Sequence, residues 1–242
     1  MRVVIAGGRG LLGGAVAREF AQDHEVIVLN RVALDVTDEH AVHAVMAAHH
    51  PGLIVNCAAY NNVDAAEDEP ELALRVNAFA VRTLARAASA TGAALVHFSS
   101  DFVFDGETDV PYTEEARANP RGVYAASKLL GDWFALEAPR AYVLRVESLF
   151  GPPAAGGGRR GSLGTIIDTI RRGDEVPVFV DRVVSPSYTP DISRAVRSLL
   201  ERDAPAGIYH CVNSGQATWV EIAERAAALM GLPLQIRPVT LR

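Results

Sequence analysis

The stretch Gly7-Gly8-Arg9-Gly10-Leu11-Leu12-Gly13, with glycines at 7, 10 and 13, restricts the fold of this 242-residue chain more than any other. Before it, Arg2-Val3-Val4-Ile5-Ala6 is short, β-branched and apolar, the pattern of a parallel strand buried on both faces. After it, Gly14-Ala15-Val16-Ala17-Arg18-Glu19-Phe20 reads as a helix. A strand, a glycine turn and a helix in that order build an anion site. Without Cβ atoms a diphosphate can approach the helix N-terminus, where free N–H groups and the helix dipole favour negative charge. The nucleotide reading therefore rests on Gly7, Gly10, Leu11, Leu12 and Gly13. Glycines as mere turn punctuation are the plainer alternative, and the strand and helix on either side weigh against it.

Apolar runs at 25–29, 52–60, 93–101 and 141–146 alternate with helical patterns at 39–49, 70–90 and 122–137. This alternation predicts an α/β fold, a Rossmann-type doubly wound parallel sheet over residues 1–150. Residues 33–38 read as a short edge segment carrying Asp35 and Val36. A Gly/Pro-rich loop at 151–161 follows, and its Arg159 and Arg160 could reach a diphosphate. The shorter elements of 151–242 predict a small C-terminal α/β substrate-binding annex, interleaved with the sheet as one unit. The second strand ends at Asn30-Arg31, where an acidic residue would favour NAD and an arginine suits a 2′-phosphate. NADPH is the expected cofactor, with NADH left open. A solvated arginine at a strand end is the alternative reading.

A net charge of −6 argues against a nucleic-acid partner. Cys57 and Cys211 form no close motif, which suits buried thiols in a reducing compartment. Met1 leads directly into the first strand, and no apolar run approaches the roughly 20 residues that span a bilayer. A cytoplasmic protein with no membrane partner is expected. His40, His43, His49 and His50 lack converging partners and read as surface histidines, and no metal site is expected. Asp64, Glu67, Asp68 and Glu69 read as an acidic cluster at a helix start, matched to its dipole.

The strand at 93–101 ends in Ser99-Ser100-Asp101, at the carboxyl edge where doubly wound sheets hold ligands. Tyr124 and Lys128 follow, one above the other on the same helix face. A cation near a phenol makes the hydroxyl a better proton donor near neutral pH. Alone, such a pair is most often a helix-surface contact.

Taken together, several segments resemble the extended short-chain dehydrogenase/reductase family, within it the dTDP-4-dehydrorhamnose reductases (RmlD-like). They are Gly7-x-x-Gly10-x-x-Gly13, Leu34-Asp35-Val36-Thr37-Asp38, Asn56-Cys57-Ala58-Ala59-Tyr60, Val63-Asp64-Ala65-Ala66-Glu67, His97 through Gly106, Tyr124-x-x-x-Lys128 and Ser185-Pro186-Ser187-Tyr188-Thr189, with Gly207 through Gly215. The resemblance implies hydride transfer from NADPH to a nucleotide-linked 4-keto-6-deoxy sugar, with dTDP-4-dehydro-L-rhamnose the leading substrate. Tyr124 would donate the proton, Ser100 would orient the carbonyl, and Lys128 would lower the phenol pKa and hold the nicotinamide ribose. Asn30, Arg31, Asp35, Val36, Ala58, Ala59, Tyr60, Asn77 and Ser99 would join the glycine turn, Tyr124 and Lys128 around the cofactor. Asp101, Phe102, Asp105, Glu147 and Ser148 would meet the sugar beside Ser100 and Tyr124. A homodimer is consistent with the family.

Several positions depart from that pattern. Phe102 stands where the family usually has tyrosine, and Arg145-Val146-Glu147-Ser148 where it commonly has Arg-Thr-Ser-Trp. Ala6 and Ala125 replace threonine and glycine, and relatives usually continue some tens of residues beyond Arg242. A carboxylate and a serine at 147–148 imply a more polar or differently shaped pocket. Two other readings stay open: a non-catalytic NADP-binding regulatory subunit resembling that of methionine adenosyltransferase, and a sugar-nucleotide epimerase or dehydratase. Retention of Ser100, Tyr124 and Lys128 together favours chemistry over binding alone.

Overall fold

The computed structural model describes residues 1–154 and 161–240. Arg159 and Arg160 lie outside the described residues. The first half alternates as the apolar runs predict: β1 (Arg2–Ala6), α1 (Leu11–Phe20), β2 (Glu25–Leu29), α2 (Glu39–His49) and β3 (Leu53–Asn56). Next come α3 (Ala65–Asp68), α4 (Pro70–Leu74), α5 (Ala80–Thr91), β4 (Ala94–Ser100), α6 (Val123–Ala135) and β5 (Ala141–Val146). The second half holds α7 (Gly161–Arg172), β6 (Val176–Phe179), β7 (Val183–Val184), α8 (Thr189–Glu201), β8 (Gly207–His210), β9 (Ala217–Thr218), α9 (Trp219–Met230) and β10 (Ile236–Val239).

Six strands form one parallel sheet in the order β2-β1-β3-β4-β5-β8. The order reverses between β1 and β3, the crevice at which a doubly wound sheet binds ligands outside its carboxyl edge. Side chains alternate across each strand, so every strand feeds two cores. Val4, Ile54, Leu95 and Val143 pack under α2, α5 and α6, with Val42, Met46 and Leu84. Val3, Ile5, Val96 and Leu144 pack on the opposite face with Val16 and Phe20 of α1 and Ile192 and Val196 of α8. A third core joins Ile166, Ile170, Val176, Val178, Trp219 and Ala223 between α7, α9 and the small β6–β10 sheet. β7 and β9 pair antiparallel beside it. β8 thus returns to the main sheet after β6 and β7 have left it.

Three expectations differ. The helical pattern of 70–90 is broken by a π-helical turn at Arg75–Phe79, which inserts an extra residue and brings the buried Asn77 side chain toward the sheet. Residues 33–38 pair with no strand: Leu34 and Val36 bury their side chains in the core, while Asp35 folds the backbone into a turn by accepting from the Thr37 amide and hydroxyl. The run 52–60 is strand only to Asn56, because the Asn56 amide oxygen captures the Ala58 N–H and turns the chain away. Among the described residues, no helix is long and apolar enough to cross a membrane.

Candidate active site

The site lies at the carboxyl edge of β1, β3 and β4. Gly7 leaves β1 with φ +71°, and a Cβ there would stand 2.6 Å from the Ala58 nitrogen in the turn after β3. Gly13, inside the first turn of α1, lies so close to the loop that a Cβ would fall 2.6 Å from Gly8 Cα. The loop can therefore lie flat over the start of α1. Gly10 caps that helix in extended backbone with no side chain satisfying the first N–H groups. The result is a cradle with uncapped amide donors, which fits the diphosphate of a dinucleotide. Leu11 borders the cradle and Leu12 is buried beneath it.

The adenosine end of such a cofactor would meet the tip of β2. Asn30 Oδ1 accepts the Ala33 N–H at 2.9 Å, shaping the turn. The Arg31 side chain is 80% exposed and 3.8 Å from Asp35, so its guanidinium stays free to move toward a phosphate. Asp35, by contrast, spends its carboxylate on Thr37 and is held below its usual value by those hydrogen bonds. Val36 belongs to the core.

Ala58, Ala59 and Tyr60 run along the floor in irregular backbone, pinned by Asn77. Asn77 Oδ1 accepts from the Tyr60 N–H at 2.9 Å, and Nδ2 donates to the Tyr60 carbonyl and to Ser127 Oγ, each at 3.0 Å. Its amide is used on both sides, so Asn77 shapes the cofactor floor through the 58–60 segment. Ser99 is buried beside Asp132, pointing away from Ser100.

Ser100, Tyr124 and Lys128 come together as the sequence predicts. The Tyr124 phenol lies near enough to Ser100 for the serine hydroxyl to lower its titration. Ser100 Oγ donates to Asp101 Oδ1 at 2.8 Å and accepts the Phe102 N–H at 3.2 Å, which fixes the hydroxyl at the end of β4. Lys128 is almost wholly buried, and its ammonium donates to the Phe98 carbonyl at 2.6 Å. Burial pushes it down to about 8, opposed by the charge of Asp132 one turn further along α6. The expected depression of the phenol is not what the fold produces. Burial among Ala66, Ala73, Phe102 and Val123 pushes Tyr124 up to about 12, with the nearby Ser100 hydroxyl acting the other way. Tyr124 is therefore fully protonated at neutral pH. The Lys128 ammonium is held by the Phe98 carbonyl of β4, one helical turn from Tyr124 along α6.

Helix α6, which carries Tyr124 and Lys128, is anchored by a residue far away in sequence. Glu67 Oε1 accepts the Val123 N–H at 2.7 Å at the first turn of α6. The acidic run expected to serve its own helix thus complements, through Glu67, the dipole of α6.

The sugar-facing residues divide. Asp105 turns inward to its loop, accepting from Tyr112, from Asn119 at 2.8 Å and from the Glu107 N–H at 3.1 Å. These bonds hold it down to about 2, and they commit it to shaping the 104–119 loop. Phe102 meets Tyr124 edge-on at 5.6 Å. Ser148 takes a left-handed conformation, φ +45°, which turns the chain after β5 so that Phe150 pairs with Tyr188. Asp101 and Glu147 face a residue that no motif identifies: Arg182, in the turn between β6 and β7, lies 3.4 Å from Asp101 and 4.8 Å over the Phe102 ring. Its only sequence signal is an arginine in a turn, which is ordinary on a surface.

A parallel Rossmann sheet with a glycine cradle and a serine–tyrosine–lysine set at its carboxyl edge defines the short-chain dehydrogenase/reductase class, in its extended form with an annex. Residues 1–242 match the family model described as RmlD substrate binding domain, and the chain belongs to that family. It is 37% identical over 247 residues to the dTDP-4-dehydrorhamnose reductase of Streptomyces griseus, covering 99% of this chain and 80% of that protein. It is 36% identical over 244 residues to a probable dTDP-4,6-dihydroxy-2-methyloxan-3-one 4-ketoreductase of Streptomyces antibioticus, covering 99% and 81%. The crystal structure of dTDP-4-dehydrorhamnose reductase from Bacillus anthracis in complex with NADP superposes with a TM-score of 0.90 at 30% identity, covering 99% of this chain and 84% of that one.

Proposed function

We propose that this protein is an NADPH-dependent reductase of a dTDP-linked 4-keto-6-deoxy sugar, with dTDP-4-dehydro-L-rhamnose as the first substrate to try. The observation that carries the reading is the buried Tyr124 phenol beside Ser100, one helical turn from the buried Lys128, whose ammonium is held by the Phe98 carbonyl. When bound, the reduced nicotinamide supplies hydride to the ketone carbon, and negative charge gathers on the oxygen. Tyr124 delivers its proton to that oxygen, and Ser100 supplies the second polar contact that orients it. Lys128, cationic below pH about 8, stabilises the phenolate that Tyr124 becomes. The Gly7–Gly13 cradle holds the diphosphate of the cofactor and Arg31 its 2′-phosphate. The relatives differ in the sugar their names carry, so the sugar rests on pocket residues, not on the catalytic set. The unpaired Cys57 and Cys211 are consistent with a reducing, cytoplasmic setting.

The test follows NADPH oxidation at the nicotinamide band with a panel of dTDP-4-keto-6-deoxy sugars. Turnover that disappears in Tyr124→Phe supports the reductase. Tight NADPH binding with no turnover of any sugar overturns it in favour of a binding subunit.

A further inference from the structure

One charged cluster in the cleft has no part in proton delivery. Asp101 closes β4, Glu147 follows β5, and Arg182 reaches over from the turn before β7. Arg182 Nη2 is 3.4 Å from Asp101 Oδ2, and its guanidinium stacks on the Phe102 ring, which touches Tyr124. The other Asp101 oxygen holds Ser100 Oγ at 2.8 Å. Glu147 is fixed by the Ser185 N–H on Oε2 at 2.8 Å, while the Ser187 hydroxyl and amide hold its backbone. The cluster is thus continuous with the Ser100–Tyr124 pair: Ser100 bonds Asp101, Asp101 pairs with Arg182, and Arg182 stacks on the Phe102 ring that meets Tyr124, with Glu147 near enough to feel the charges of Asp101 and Arg182.

Arg182 pairs with Asp101, so among the described residues Glu147 has no ion-pair partner, and its charge, when ionised, stands uncompensated in a half-buried wall. Such a wall repels an anionic substituent and rewards a hydrogen-bond donor that can approach a carboxylate. It also penalises a substrate without that donor, because the acceptors are then left desolvated and unpaired. Resting on the reductase reading, we propose that Asp101, Arg182 and Glu147 form a specificity-determining wall, with Glu147 accepting a hydrogen bond from a ring hydroxyl next to the reacting carbonyl of the sugar. Glu147 is the discriminating member, since Asp101 is already engaged by Ser100 and Arg182. Burial and the Asp101 charge push Glu147 up to about 7, against the Ser185 amide and Arg182. Those are the groups that face it from β4, from the β6–β7 turn and from the 185–187 segment. The preference for a hydroxylated ketone therefore grows as pH rises through 7 and Glu147 becomes the stronger acceptor.

The experiment compares kcat/KM of the NADPH-loaded enzyme for a dTDP-4-keto-6-deoxyhexose bearing a 3-hydroxyl and for its 3-deoxy analogue, from pH 6 to 8. The wild type is expected to prefer the hydroxylated sugar by about 100-fold at pH 8 and less at pH 6. In Glu147→Ala that ratio should fall to within about tenfold, chiefly through the hydroxylated substrate, and in Glu147→Gln the ratio should lose its pH dependence. If Glu147→Ala slows both substrates equally and leaves the ratio intact, Glu147 only supports the 185–187 segment and the wall is overturned. Turnover of neither sugar by the wild type sinks the reductase reading and this inference with it, a result distinct from an intact ratio.

Discussion

Tyr124 and Lys128 titrate in directions set by the same cause, burial, with opposite signs. Desolvation disfavours the charged form of each, so the phenol goes up to about 12 and the ammonium down to about 8. Tyr124→Phe removes the proposed proton donor without disturbing the packing of Ala66, Ala73 and Phe102, and should lower kcat by about 100-fold or more, read by NADPH oxidation. Lys128 loses its charge as pH rises through about 8, so kcat/KM should fall on the alkaline side of that value. The stability sign is opposite. A lysine whose folded-state value lies below its ordinary one is held protonated at a cost, and the fold gains on the unfolded chain as pH rises from about 8 toward the ordinary ~10.4. Lys128→Met is therefore expected to lose activity while its thermal midpoint at pH 7 stays the same or rises. Glu147 repeats the logic for an acid. Its folded-state value, about 7, lies above the usual carboxylate range, so its contribution is present at low pH and is lost as pH climbs to about 7. Glu147→Gln should flatten that part of the stability–pH curve.

At the scale of elements, α6 is placed by contacts from three directions: the strand beneath it, the π-helical turn beside it and Glu67 at its start. Glu67 is 56 residues from the Val123 amide it caps. Glu67→Ala should destabilise the fold by about 1 kcal/mol, the usual cost of a lost cap, seen as a shifted denaturant midpoint with unchanged slope. Because α6 carries both Tyr124 and Lys128, kcat should fall further than stability alone explains. The strands and helices of the first half were legible because their signals are local: β-branched runs, 3.6-residue periodicity, glycines between them. The π turn at Arg75–Phe79 was not, because its residues carry an ordinary helical pattern, and what opens the helix is Asn77 meeting Tyr60 and Ser127 across the fold. The 33–38 segment misled for a related reason, since Leu34 and Val36 are apolar and alternating, yet both bury their side chains in the core while Asp35 turns the backbone between them.

Across the whole molecule, Arg197 ties the second half of the chain back to the first. From α8 it meets Glu19, 178 residues earlier, at 2.7 Å and Asp23 at 2.9 Å, and it stacks on Phe20. Its side chain is 16% exposed, so solvent screens these bonds only in part. Arg197→Ala should cost about 2 kcal/mol by chemical denaturation, with little change in KM, since the contact lies far from the cleft.

By itself the sequence determined the sheet, the glycine cradle and the Ser100–Tyr124–Lys128 set, because each depends on residues within one strand–turn–helix unit or one helical turn. Only the tertiary structure decided which charges share a cleft. Arg182 reaches Asp101 across 81 residues, Glu147 titrates under the charges of both, and Asp105 withdraws into its own loop. The direction in which Tyr124 titrates was likewise settled by its neighbours in space. Its spacing from Lys128 promised a lowered phenol, and the apolar packing around the ring outweighs it, since desolvation of a buried group depends on everything that surrounds it.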